Sequence, residues 1–201
     1  MTTWKNEILN NQIDKDPQEI FNAYCSAIGD YFVENNFKYI KSRPRIERRY
    51  EDIIQTINFW SSKTNEINNS VNLEILPYIK SKSLKKWIKL NSVGRNEFIY
   101  AVKVKSPRNF NVFGHNYSDF VELTKEIDNI IIRELNRFRD GLKDLDYFFK
   151  TDEFNNGIIA DNFMAFICKS NPEYIDMGIN KLGNKISESQ MIKINEIKNA
   201  S

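Results

Sequence analysis

The run Ile53-Ile54-Gln55-Thr56-Ile57-Asn58-Phe59-Trp60 decides the fold. It is dense in β-branched and aromatic residues and reads as a strand. With a period of two, Ile53, Gln55, Ile57 and Phe59 share one face, and Ile54, Thr56, Asn58 and Trp60 share the other. Glu51-Asp52 makes a turn before it, and residues 61–69 form a polar loop after it.

Working outward, Phe37, Tyr39 and Ile40 open a preceding extended segment that continues through Ser42-Arg43-Pro44-Arg45 to Arg49. Downstream, Val71, Leu73 and Ile75 alternate with Asn72 and Glu74, and Pro77 is expected to limit that strand. After a lysine-rich stretch, Phe98, Tyr100, Val102 and Val104 alternate again. The connections read as too short for crossover helices, which makes the pairing antiparallel.

Helices flank this block. Asp16-Pro17 caps an amphipathic helix carrying Ile20, Phe21, Tyr24, Ala27, Ile28, Tyr31 and Phe32, ended by Glu34-Asn35-Asn36. After a loop over 107–117, one helical stripe holds Phe120, Leu123, Ile127, Ile130, Ile131, Leu135 and Phe138, and Arg139-Asp140-Gly141 bends or ends it. Leu142, Leu145, Phe148 and Phe149 continue on a short piece. Phe154-Asn155-Asn156-Gly157 is a turn, and residues 158–168 read as a short apolar helix. Asn171-Pro172 opens a helix that Gly183 closes, and Ser187 with Gln190 opens a last one bearing Met191, Ile194 and Ile197.

The order helix, strands, helices predicts an α+β fold with an N-terminal helix, an antiparallel meander of three to four strands and a helical C-terminal half. Residues 1–201 read as a single domain. Residues 1–15 are a flexible or helical lead-in, and residues 157–201 a helical extension. With 14 Phe and 9 Tyr, large rings should fill the core.

Little catalytic chemistry is visible. His115 is the one histidine, which removes mechanisms and metal sites built on two histidines of one chain; it reads as a loop residue near a helix start. Cys25 and Cys168 lie in apolar helical contexts, where a thiolate is disfavoured, and read as buried thiols, with a disulfide or a reactive thiol as the alternatives. The 7 glycines form neither a phosphate-binding loop nor a nucleophile elbow. Asp140, Asp144 and Asp146 fall on one solvated helix face. No catalytic, cofactor-binding or metal residue is assigned, although a carboxylate-based enzyme stays open. No secretory signal and no apolar run of about 18 residues occurs, so the expected location is the cytoplasm, with no membrane partner. Asn68 and Asn116 match the glycosylation pattern by chance. The abundance of Ile, Asn and Lys fits an AT-rich bacterial coding sequence. Nothing in the sequence sets an oligomeric state.

Charge is the most uneven property. Residues 38–108 carry a net of +10, and the segments on either side carry −4 each. One cluster is Lys38, Lys41, Arg43, Arg45, Arg48 and Arg49; the other is Lys80, Lys82, Lys85, Lys86 and Lys89 around Trp87. Three readings stand side by side: lysines guarding sheet edges or neutralised by acidic helices, a docking face for an acidic protein, and a nucleic-acid surface with stacking aromatics. The candidate contacts are Arg43, Arg45, Arg48, Arg49, Trp60, Lys85, Lys86 and Trp87.

The helix over 20–32, Asn36-Phe37-Lys38, Arg48-Arg49, Asp52-Ile53-Ile54-Gln55 and Val71-Asn72-Leu73-Glu74-Ile75 resemble a bacterial family of unknown function over about residues 18–150. Asn36 stands where that family usually has glycine. The resemblance implies a helix, three strands and following helices. Through related immunity proteins it also implies protein binding without catalysis. It carries over no functional residue.

Overall fold

The computed structural model describes residues 8–91, 98–103, 109–151, 153–182 and 195. Helix α1, Pro17–Tyr31, starts as its sequence dictates: Asp16 accepts the Gln18 N–H at 2.7 Å and Pro17 occupies the first turn. Its apolar stripe is buried from Ile20 to Gly29. The chain leaves the helix through Asn36, whose φ of 62° is left-handed. Asparagine tolerates that region better than other residues with a Cβ.

The strands are β1 (Lys38–Ile40), β2 (Arg45–Tyr50), β3 (Ile53–Ser61), β4 (Asn72–Ser81), β5 (Phe98–Val102), β6 (Asn109–Asn111) and β7 (Gly157–Ile159). Their hydrogen-bonded order is β1-β2-β3-β4-β5-β7, with β6 also paired to β4. The helices after β1 are α2 (Lys82–Asn91), α3 (Tyr117–Glu126), α4 (Arg133–Gly141), α5 (Leu145–Lys150), α6 (Asp161–Ser170) and α7 (Ile175–Leu182). The fold is α+β with an antiparallel sheet.

Several local readings change. β4 runs through Pro77, which is buried in line with Leu73, Ile75 and Ile79. Pro77 falls between the stretch paired to β6, residues 72–74, and the stretch paired to β5, residues 78–80. The lysine-rich stretch is helix α2, and β4 and β5 still pair antiparallel. Strands β6 and β7 are three residues long and carry no alternation to read, so 107–117 and Ile158 were expected in a loop and a helix. The stripe from Phe120 to Phe138 is interrupted by a π-helical turn, Ile127–Ile132. That turn keeps Ile127 and Ile131 inside and leaves Ile130 50% exposed. The features expected at Gly183 and beyond Ser187 lie outside the described residues.

The chain forms two compact units: Met1–Arg49, Gln55–Pro77 and Val104–Arg133, and Tyr50–Ile54, Tyr78–Lys103 and Glu134–Ser201. In the first, α1 lies against β1, where Gly29 lets Tyr39 approach; a Cβ there would stand 2.6 Å from that of Tyr39. Tyr24 meets Phe120 edge-on at 5.5 Å, and Phe32 meets Phe37 at 6.1 Å. In the second, Tyr100 stacks on Phe138 at 4.0 Å, with Phe148 and Phe154 packed edge-on against Phe138. Large rings fill both cores, as the composition predicts.

Candidate functional site

The first unit presents a sheet face built by alternation. Arg48 bonds Gln55, which puts both on the face shared with buried Ile46, Ile57 and Phe59. Period two then sends Arg45, Glu47 and Arg49 of β2, and Asn58 and Trp60 of β3, to the opposite face. The β1–β2 register, Lys38 with Glu47 and Ile40 with Arg45, adds Lys38 and Ile40 to it. Trp60 is 58% exposed there.

The arginines expected to act alike have different roles. Arg48 donates to Gln55 Oε1 at 3.1 and 2.8 Å and to the Asn35 carbonyl at 3.0 Å, and lies 4.5 Å over the Phe37 ring. It holds the exit of α1 to the sheet. Arg45 and Arg49 converge on one carboxylate, at 2.7 and 3.1 Å from Glu47. Burial pushes the Glu47 pKa up, but the two guanidiniums outweigh it and the pKa falls below its usual value. Arg49 remains 64% exposed, and Arg43, Lys38 and Lys41 are exposed.

Lys85, Lys86 and Trp87 belong to the second unit, on α2. Both lysines are exposed. Trp87 is half-buried, edge-on to Phe166 at 5.9 Å and packed on Ala165, Cys168 and Ile175. Its ring is engaged by α6 and is not a stacking platform. Tyr78 lies under Lys80, whose Nζ is 5.1 Å from the ring centre.

His115 is part of a bonded cluster in the first unit. Its Nδ1 lies 2.9 Å from the Tyr24 hydroxyl. Gln12, which is buried, donates to the Leu9 and His115 carbonyls and accepts the Gly114 N–H at 2.9 Å. Burial lowers the imidazole pKa, opposed by Asp119. Both cysteines are buried, and burial raises both thiols, Cys168 to about 11. The glycosylation-like asparagines have structural duties: Asn116 caps α3 in a capping box with Asp119, and Asn68 exchanges bonds with Asp14.

The second unit holds a cavity of about 660 Å³ lined by Tyr50, Glu51, Asp52, Ile53, Arg139, Leu142 and Lys143. These residues are some ninety positions apart in the chain, and no local pattern joins them. Arg139 lies 4.4 Å over the Tyr50 ring and bonds Asp140 at 2.8 and 3.1 Å. Lys143 reaches the same carboxylate at 2.8 Å. These cations lower the Asp140 pKa to about 2, with Arg139 the larger cause. Asp52 accepts from the Ser81 and Ser83 hydroxyls and the Ser83 N–H, which outweigh burial and keep it ionised. Asp146 likewise pairs with Lys150, on the solvated face expected for it.

Among the described residues no group of three or more His, Cys, Asp or Glu is placed to hold a metal ion. No described helix is long and apolar enough to cross a membrane. Compared with family models, curated proteins and solved structures, the chain matches none.

Proposed function

We propose that the chain is a non-catalytic protein-binding module that docks an acidic protein on the outer sheet face of its first unit. The observation that carries this reading is Trp60, 58% exposed near the end of β3 on a sheet face that also bears Lys38, Arg45 and Arg49. A large ring left in water on an ordered strand costs apolar burial. Tryptophan and arginine are also the residues most often found as binding hot spots. Arg43, Arg49 and Trp60 are the contacts, with Lys38 and Lys41 at the rim. Arg45 and Glu47 hold Arg49 in place, and Arg48 is part of the scaffold.

The test is affinity capture with the purified chain as bait, comparing wild type with Arg43→Glu/Arg49→Glu and with Trp60→Ala. The reading expects one acidic partner to be retained by wild type, lost from both variants, and kept by the second-unit control Lys85→Glu/Lys86→Glu. Capture that survives both first-unit variants overturns the surface. Retained material that is nucleic acid, released in steep proportion to salt, overturns the partner class.

A further inference from the structure

The cavity of the second unit shares no residue with that docking face, and both its walls are tied by hydrogen bonds. The Glu51-Asp52 turn is tied to the start of α2: the Lys82 N–H donates to the Asp52 carbonyl at 3.0 Å, and Lys82 Nζ to the Glu51 carbonyl at 2.5 Å. The Asp52 carboxylate is engaged by Ser81 and Ser83. Glu51 holds a φ of 38°, a left-handed backbone that costs a residue with a Cβ about 1–2 kcal/mol. The two-residue hairpin between β2 and β3 calls for a positive φ at that position. The opposite wall is the end of α4, where Arg139 is fixed on Tyr50 and Asp140.

A preformed cavity of about 660 Å³ falls within the ordinary range for small-molecule sites, about 300–1,000 Å³. Tyr50, Ile53 and Leu142 supply its apolar surface. Its charges fall into an engaged set and an available set. Asp52 serves α2, and Asp140 serves Arg139 and Lys143. The exposed Glu51 carboxylate is available as an acceptor. Lys143, 75% exposed, keeps ammonium hydrogens beyond its bond to Asp140. A simple anion would meet Glu51, a simple cation would meet Arg139 and Lys143, and an uncharged ligand would leave both signs unanswered. We infer that the cavity binds a small zwitterion with an apolar body, the class of an α-amino acid with a hydrophobic side chain. Glu51 takes the ammonium, Lys143 takes the carboxylate, and the side chain lies on Tyr50, Ile53 and Leu142.

Calorimetric titration of the full chain with L-phenylalanine, N-acetyl-L-phenylalanine and L-phenylalaninamide tests this. Phenylalanine is expected to bind with a Kd of about 0.1–1 mM, and each derivative about tenfold more weakly. Glu51→Gln should abolish discrimination against the N-acetyl form, and Lys143→Met discrimination against the amide. Leu142→Trp should fill the cavity and remove binding. Glu51 and Lys143 are exposed, so their variants keep the test intact if Leu142→Trp does not fold. No binding of any probe at about 10 mM, equal binding of all three, or binding untouched by the Glu51 and Lys143 variants overturns the assignment.

Discussion

Gly29 shows how one missing side chain sets a contact. An added Cβ would stand 2.6 Å from Tyr39 Cβ and 2.7 Å from its Cγ. Neither atom is the far end of a flexible chain, so α1 or β1 must shift. Gly29→Ala should lower stability by about 1–2 kcal/mol, overpacking exceeding the gain in helix propensity; urea denaturation measures it, and an unchanged midpoint refutes the contact. His115 is the other residue-scale case. Burial depresses its pKa from 6.5, so the unfolded chain takes up the proton first. Its contribution to stability is complete above pH 6.5 and declines as pH falls from there through the folded value. The denaturation midpoint should therefore drop between pH 7 and pH 5 in wild type, and drop less in His115→Gln. Equal slopes would refute this. The sequence placed His115 correctly in a loop before a helix, but its bond to Tyr24 spans 91 positions and had no local signature.

At the scale of elements, what was legible depended on length. The capped α1, the long β3 and the stripe of α3 and α4 all announce themselves, because several side chains repeat at one period. The three-residue strands β1, β6 and β7 hold at most two residues on a face, and β6 and β7 went unread. Helix α2 was hidden for another reason. Its first turn is Lys82, Ser83 and Leu84, with Ser81 at the cap, but its charge partner Asp52 is 29 residues away from Ser81. Removing that partner frees the Ser81 and Ser83 hydroxyls and the Ser83 N–H together. Asp52→Ala should lower stability by about 1–3 kcal/mol, read by urea titration, with Asp52→Asn intermediate because its amide oxygen still accepts. Because the Asp52 pKa is depressed below 3.8, this stabilisation is complete above that pH and is lost as pH falls through the folded value. Loss in Asp52→Ala that is equal at pH 7 and pH 2 would contradict it.

At the scale of the molecule, the +10 block proved to be two sets of residues. Lys38 to Arg49 lies in the first unit, while the Lys80–Lys89 cluster lies in the second. The eight candidate contacts divide accordingly, and their side chains do unlike things: Arg48 and Trp87 hold packing together, Arg45 orients Glu47, and Arg43, Arg49 and Trp60 face outward. Composition reports charge but not engagement, which is why sequence alone ranked them equally. If the outward set docks an acidic protein, association should slow as salt rises from about 0.05 to 0.5 M, because screening shortens from over 10 Å to a few Å. Stopped-flow association rates should show that slope in wild type and a shallower one in Arg43→Glu/Arg49→Glu. Parallel slopes would place the steering charge elsewhere.

The two units are threaded through one another along the chain: each is assembled from three separated stretches, and each stretch of one is followed by a stretch of the other until the end. No single cut of the gene yields either unit whole. During synthesis the first unit obtains its last stretch, ending at Arg133, only after the Tyr50–Ile54 turn and the β4–β5 region of the second have left the ribosome. The second unit must wait for the residues after Glu134. A nascent chain stalled before Arg133 thus holds two incomplete cores at once, and premature termination there leaves Phe59 and other apolar residues of the first unit's core as a hazard for aggregation.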